Sequence, residues 1–194
     1  MWTQLQLSAA DKAAAGLRMA VAVLLNSIWP ENGSTLNRFR RLESSTALVF
    51  VLTDGRSEDA VATAYQGTSG VRALGSASLR ALRDSDGPEL AQVARACESA
   101  CVLFSLLVDK PLQGQGLGTA ILKRMEAEAA RLGHSHVFLT AEPDVASFYA
   151  KHGYEVVSDP SWKQRTRKRM LWLRKLVLGG APQSSDSAED EAVS

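Results

Sequence analysis

Apolar positions along this chain change their period several times, and each change marks an element. Leu17, Val21, Leu24, Leu25 and Ile28 recur at helical spacing, one stripe of an amphipathic helix. Ser8-Ala9-Ala10-Asp11 supplies an N-terminal cap for it, and Pro30 ends it. The segment 34–42 reads as a second short helix. The run 47–53 is a strand closed by Asp54-Gly55, and 71–82 is another, with Gly75 marking a bend. Asp84-Ser85-Asp86-Gly87-Pro88 breaks the chain before an extra short helix at 89–96. Cys101 to Val108 is apolar almost throughout and reads as a buried strand. Leu117, Ile121, Met125, Ala129 and Leu132 then form a second helical stripe, the helix running from Thr119 to Leu132 and stopped by Gly133. A strand at 136–140 follows, then a helix opened by Pro143 and ended by Gly153, then strands at 154–157 and 170–177. The predicted order is helix, helix, three strands, helix, strand, helix, two strands. That is an α/β (α+β) fold, a mixed twisted sheet of about six to seven strands with helices on both faces.

Composition narrows the class. A chain of 194 residues with 45% apolar content is one globular domain, predicted over 1–178. Residues 179–194 are small, polar and acidic (Asp186, Glu189, Asp190, Glu191) and read as a disordered tail. The 22 basic and 21 acidic residues leave a formal charge of +1, so no overall field favours nucleic acid or a membrane surface. The start Met1-Trp2-Thr3-Gln4 has no basic leader region, and the apolar run Met19 to Leu25 is too short to span a bilayer, so a cytoplasmic protein is expected. Cys97 and Cys101 have no partners elsewhere, and two ligands do not make a structural zinc site, so reduced buried thiols and no metal are expected. His134 and His136 read as structural for the same reason.

The chemistry starts at the end of the buried strand. Leu106-Leu107-Val108 passes through Asp109-Lys110-Pro111-Leu112 into Gln113-Gly114-Gln115-Gly116-Leu117-Gly118 and directly into a helix. Glycines admit a ligand close to the backbone, and the free N–H groups of the helix start form an anion site reinforced by the helix dipole. A phosphate-bearing ligand is one reading and a purely structural turn the other. No Lys-[Ser/Thr] follows, which excludes a Walker loop, and Gly-x-Gly-x-Gly is not the dinucleotide fingerprint. The spacing that fits is Gln113-x-x-Gly116-x-Gly118. Further on, Phe148-Tyr149-Ala150-Lys151-His152-Gly153-Tyr154 closes the last helix. Phe148 reads as the core anchor there, Gly153 as the left-handed helix end, and Tyr149 as a phenol left over for general-acid work.

These two motifs, with helix, strand and helix between them, resemble the core of the GNAT superfamily of N-acetyltransferases, over roughly Asp11 to Val177. The resemblance implies acetyl-coenzyme A as cosubstrate. It implies that backbone groups of Leu106, Leu107 and Val108 pair with the pantetheine arm. Gln113, Gly114, Gln115, Gly116, Leu117, Gly118 and Thr119 then hold the pyrophosphate, with Asp144 among the coenzyme contacts. Tyr149 would protonate the departing thiolate after direct attack by a neutral amine. A narrower likeness adds Leu24-Leu25-Asn26-Ser27-Ile28-Trp29-Pro30 and Arg38-Phe39-Arg40-Arg41-Leu42, which resemble the branch that acetylates the N-terminus of actin. This implies an acidic protein N-terminus, actin, as acceptor, bound by Trp29, Arg38, Phe39, Arg40 and Arg41, since arginine forks bind carboxylates. A second basic run, Lys163, Arg165, Arg167, Lys168 and Arg169, would flank the same groove.

The chain departs from the family pattern in three places. A glutamate common on the fourth strand is matched here by Phe104 or Ser105, so Glu142, and after it His152, is the expected proton acceptor. An α-amine has a reference pKa of about 8, so a strong base is not needed. The stretch Arg83 to Ala100 is longer than the family requires. The six prolines are scattered, so profilin would be met only through actin. A monomer without nucleic-acid or membrane partners is expected. Open alternatives are acetylation of another peptide or a small amine, and a silent module that binds coenzyme A without turnover.

Overall fold

A computed structural model describes residues 2–5, 12–30, 34–38, 48–53, 73–82, 99–163 and 168–177, with Asp86, Leu90, Arg95 and Cys97 between them. The predicted Ser8–Asp11 cap, the Asp54-Gly55 turn, the 179–194 tail, 39–42 and most of 89–96 lie outside these residues. Seven strands, β1 (Trp2–Leu5), β2 (Leu48–Thr53), β3 (Ala73–Ala81), β4 (Ala100–Val108), β5 (His136–Ala141), β6 (Glu155–Lys163) and β7 (Lys168–Leu176), form one sheet in the order β1-β2-β3-β4-β5-β7-β6. Only β4 and β5 pair in parallel. Their crossover is α2 (Leu117–Arg131); α1 (Lys12–Ile28) precedes β2, and α3 (Pro143–Ala150) follows β5. A mixed sheet with helices on both faces is therefore what the periodicities predict.

Strand alternation sorts the core into two sides. Cys101 and Leu103 of β4, Val137 and Leu139 of β5 and Leu173 of β7 face Ile121, Leu122, Met125 and Ala129 of α2 and Tyr149 of α3. Val102, Phe138 and Trp172, one residue out of phase, face the other way and are covered by Leu90. On that same side Val21, Leu24 and Leu25 of α1 cover Val51, Ala73 and Leu107. Leu90 is 2% exposed, so the long β3–β4 connection has at least one structural task, covering the sheet where α1 does not reach.

Two bulges re-aim the central strands. Leu52 pairs with Gly75 but Thr53 with Ala73, so Leu74 is extra, as the bend read at Gly75 anticipates. The second lies in β4. Ser76 pairs with Leu107 and Ser78 with Phe104, and Ser105 has a left-handed φ of 54°. The extra residue inverts the facing of the strand: Cys101 and Leu103 look toward α2 before it, Leu106 and Val108 after it.

Four boundaries differ from expectation. β1 was not predicted, because four residues of an edge strand carry too little alternation to read. α2 starts at Leu117, two residues early, so Leu117 and Gly118 are helical rather than loop. β6 runs to Lys163 although Pro160 interrupts its pattern, since an edge strand tolerates a residue without an N–H. β7 likewise starts at Lys168 among charges that hide the alternation. The predicted stop at Gly133 is present: its φ is 81°, and Gly133 and His134 donate to Ala130 and Ala129 in a Schellman end.

Candidate active site

The site begins where β4 and β5 part. They pair at Ala100–His136, Cys101–Val137 and Val102–Phe138, beyond which no pairing joins them. β4 stays bonded to β3 out to Val108, and β5 to β7 out to Ala141, so each keeps its outer neighbour while the two splay. The bulge at Ser105 bends β4 just past the last shared pair. A wedge results, with the inner edge of β4 from Leu103 onward turned into it.

Past the mouth of that wedge the chain makes a 3₁₀ turn, Lys110–Leu112, and enters the glycine loop. Both glutamines of the loop fold back: Gln113 Nε2 donates to the Val108 carbonyl at 3.0 Å, Gln115 Nε2 to that of Pro111 at 3.3 Å. Gln113, expected to meet the coenzyme, thus braces the loop with its side chain and occupies one carbonyl of the strand end. Gly114 and Gly116 have φ of 78° and 81°, and a Cβ at either would meet nothing within 4 Å. Gly116 caps α2 without a side-chain bond, and the first backbone N–H to close a helical turn is that of Ala120, onto Gly116 O at 3.0 Å. The amides of Leu117, Gly118 and Thr119 precede it and are the ones a helix leaves for a ligand. An open cradle of left-handed glycines at a dipole's positive end suits a pyrophosphate.

α3 packs beside Gly118: a Cβ there would make ordinary contact with Phe148 Cζ at 3.6 Å. Thr119 Oγ1 and His152 Nε2 are 3.2 Å apart, a second tie between the cradle and the end of α3. His152, expected as a second-choice proton acceptor, therefore sits beside the cradle. Phe148 stacks edge-on against Tyr149 and Tyr149 against Tyr154, with centroids 5.0 and 5.7 Å apart. The expected burial of the two aromatics is reversed here. Tyr149, not Phe148, is the core residue at 8% exposure, while Phe148 is half-buried over Gly118 of α2. Burial pushes the Tyr149 phenol up to about 12, so it stays protonated at neutral pH. Burial, then the nearby Glu126 carboxylate, also raises Tyr154. Burial moves Cys101 up to about 12 as well, an inert thiol.

Glu142 caps α3 at the end of β5, its carbonyl taking the N–H of Val145 and Ala146. Asp144 is exposed in the first turn of that helix. On the α1 side, Trp29 is half-buried near Leu107. Arg38 is only 8% exposed and donates from Nη2 to the Trp29 carbonyl, bracing the chain after α1. Phe39, Arg40 and Arg41 lie outside the described residues. The register Ala141–Leu171 carries the start of β7 past the end of β5, so Lys163 and Lys168, paired with each other, stand at the wedge's open end. Arg165 and Arg167 are not described. His134 and His136 lie at the opposite end, with Nδ1 3.0 Å from Ser99 Oγ and 2.9 Å from Ser135 Oγ. Burial lowers both, and the Arg174 charge lowers His136 further. Among the described residues no three His, Cys, Asp or Glu side chains gather as a metal site would need, and no helix is long and apolar enough to cross a membrane.

A family model for the acetyltransferase (GNAT) domain matches residues 60–167, more than half of the chain. The chain belongs to the GNAT acetyltransferase family. The family's reaction is acetyl transfer with acetyl-CoA as donor, and the cradle's geometry fits that donor's pyrophosphate. The fold is similar to that of an aminoglycoside 6'-N-acetyltransferase complexed with coenzyme A, with a TM-score of 0.65 at 13% identity, covering 93% of this chain and 99% of that one. It is similar too to an N-acyl amino acid synthase from uncultured soil microbes, with a TM-score of 0.62 at 13% identity, covering 83% and 91%. At these identities the likeness is one of fold. Serotonin N-acetyltransferase 2 (chloroplastic) of Oryza sativa subsp. japonica is 36% identical over 58 residues, 30% of this chain and 29% of that relative's length.

Periodicity missed two features of the site. One is the splay of β4 from β5, set by pairing between distant segments. The other is the left-handed Ser105, whose only trace in sequence is a small polar residue inside an apolar run.

Proposed function

We propose that the chain acetylates the α-amine of polypeptides with an acidic N-terminus, processed actin being the acceptor. The observation that carries this reading is charge at the open end of the wedge. The β6–β7 end brings Lys163 and Lys168, and 164–167 adds Arg165 and Arg167, without an acid in the run. In the sequence Arg40 and Arg41 follow α1, just after Arg38, which braces the Trp29 carbonyl. Such a pair of basic flanks suits consecutive carboxylates and disfavours a cationic amine. The choice of actin rests on the Leu24-Leu25-Asn26-Ser27-Ile28-Trp29-Pro30 motif.

Bound acetyl-CoA supplies a thioester carbonyl open to attack by an amine. The residues do the rest. Amides from Gly114 to Thr119 hold the pyrophosphate, with Asp144 at the rim, and the inner edge of Leu106, Leu107 and Val108 aligns the arm in the wedge. Tyr149 holds a proton at Oη and delivers it to the departing sulfur. Glu142 takes the proton of the amine through solvent. Trp29, Arg40 and Arg41 orient the peptide, and Arg38 holds the chain that carries them.

A peptide library assayed by mass spectrometry with acetyl-CoA tests the reading. Peptides beginning Asp-Asp-Asp or Glu-Glu-Glu should outpace basic ones, and the preference should shrink at high salt. A small aromatic amine in the same library covers the acceptor class in the rice relative's name. Equal rates on acidic and basic peptides would leave an acetyltransferase of other specificity.

A further inference from the structure

The β3–β4 connection, unexplained by the family pattern, touches the splayed strand through an ion pair. Arg80 of β3 donates from Nη1 to Asp86 Oδ2 at 2.7 Å and from Nη2 to Asp86 Oδ1, a two-pronged pair. Nη1 also reaches the Ala81 carbonyl at 3.0 Å. The same guanidinium lies over the Phe104 ring, 5.6 Å from its centroid. Exposure of the two side chains is 17% and 9%, so the pair is well shielded from solvent yet reachable. A two-pronged, shielded, stacked arginine is among the stronger geometries available to an ion pair.

Its position gives it a task. Arg80 pairs with Val102 and Ser78 with Phe104, so Arg80 and Phe104 share the face of the sheet opposite α2. Phe104 lies two residues past Val102, the last that β4 pairs with β5, and directly precedes the left-handed Ser105. On this face it falls between the Leu90 cluster, which includes Val102, and the α1 cluster, which includes Leu107. The donor cradle and α2 occupy the other face. An acceptor amine must approach the thioester from the side the donor leaves open, the Phe104 side.

We propose that Arg80, Asp86 and Phe104 form a wall of the acceptor site, with Asp86 a positioning residue that clamps Arg80 on Phe104 and fixes the acceptor's approach to the wedge. This rests on acetyl transfer in the wedge and not on the acidity of the acceptor. Arg80 and Asp86 neutralise each other, so the wall sets shape and register rather than charge preference, which comes from the basic flanks.

Kinetics on the full chain test it, using whichever library acceptor turns over fastest. Asp86→Asn and Arg80→Met should each raise the acceptor KM about tenfold while the acetyl-CoA KM stays within about twofold. The conservative variant Asp86→Glu, which keeps a carboxylate for Arg80, should retain most of the parent's acceptor KM. A common rise of both KM values, an unchanged acceptor KM in Asp86→Asn and Arg80→Met, or an Asp86→Glu protein no better than Asp86→Asn overturns the proposal. Amide exchange supplies an acceptor-free arm. A peptide covering 100–108 should exchange faster in Asp86→Asn while one covering 117–131 does not change, and equal exchange in both overturns the clamp. Failure of the acidic-acceptor reading shows separately, as the rank order of the library in the unaltered protein.

Discussion

Replacing Gly75 by alanine puts a methyl group where α2 already presses on the sheet. The new Cβ would stand 2.6 Å from Ile121 Cδ1 and 3.1 Å from the Leu107 carbonyl oxygen. Carbon atoms in good contact sit about 3.5–4.0 Å apart, so the first distance is roughly 1 Å short. Ile121 has no exposed surface into which to retreat, and a β-branched side chain in a helix holds essentially one χ1 well. Cδ1 turns on χ2, so the strain is taken up by a χ2 change at Ile121, a shift of α2, or both. Overpacking of this kind costs about 1–3 kcal/mol, against about 0.5–1 kcal/mol regained by removing a strand glycine. A net loss of about 1–2 kcal/mol follows, or roughly 2–8 °C in Tm for a chain of this size. Ile121 lies two residues past Thr119, so the displacement should reach the cradle and raise the acetyl-CoA KM. Ile121→Val removes Cδ1 at a cost of about 0.5–1.5 kcal/mol by itself. In that background Gly75→Ala should be neutral or stabilising, with the acetyl-CoA KM restored, a coupling of about 1–2 kcal/mol. Thermal melts and steady-state kinetics on the four proteins complete the cycle. Strict additivity, or a Gly75→Ala protein as stable as the parent, would refute the close-packing account.

Gly116→Ala and Gly133→Ala carry the same backbone penalty, about 1–2 kcal/mol at φ of 81° with open space around the Cβ. Only the first should also weaken coenzyme A binding by calorimetry; equal affinities would show that the cradle is not the anion site. Tyr149→Phe should lower kcat by about 10²-fold with little change in the acetyl-CoA KM, and the parent's kcat should show no loss from this phenol at pH 8–10, its pKa being near 12. Its folded-state pKa lies above the ordinary value of about 10, so the stability tied to it is intact below pH 10 and lost as pH rises through about 12. Denaturant melts at pH 9 and 11.5 should show that loss shrink in Tyr149→Phe. In the folded protein, thiol reagents should modify the half-buried Cys97 before Cys101, which is fully buried with its thiol pushed up to about 12; first modification at Cys101 would contradict its burial.

Elements with a long, clean period were legible, and those defined by partners were not. The α1 stripe buries Val21, Leu24 and Leu25 as its spacing predicts, and α2 buries Ile121, Met125 and Ala129. Gly133 and Pro143 end and open helices where local backbone chemistry demands. β1 escaped notice because its four residues make sense only beside β2. Tyr149 rather than Phe148 is the buried one of the pair, and adjacent aromatic residues carry no sign of which the fold will cover.

The anion cradle is a property of the sequence itself. Alternating glycines and the start of a helix make free amides by local geometry, and no distant contact is needed to read them. Which side of the cradle reacts is a tertiary matter. The splay of β4 from β5, the inversion of β4 at Ser105 and the meeting of Arg80, Asp86 and Phe104 depend on strand register between segments far apart in sequence. Register is set by pairing, and a one-residue slip sends every side chain to the opposite face. No pattern within one segment carries that information, so the donor loop can be read from the chain and the acceptor wall only from the fold.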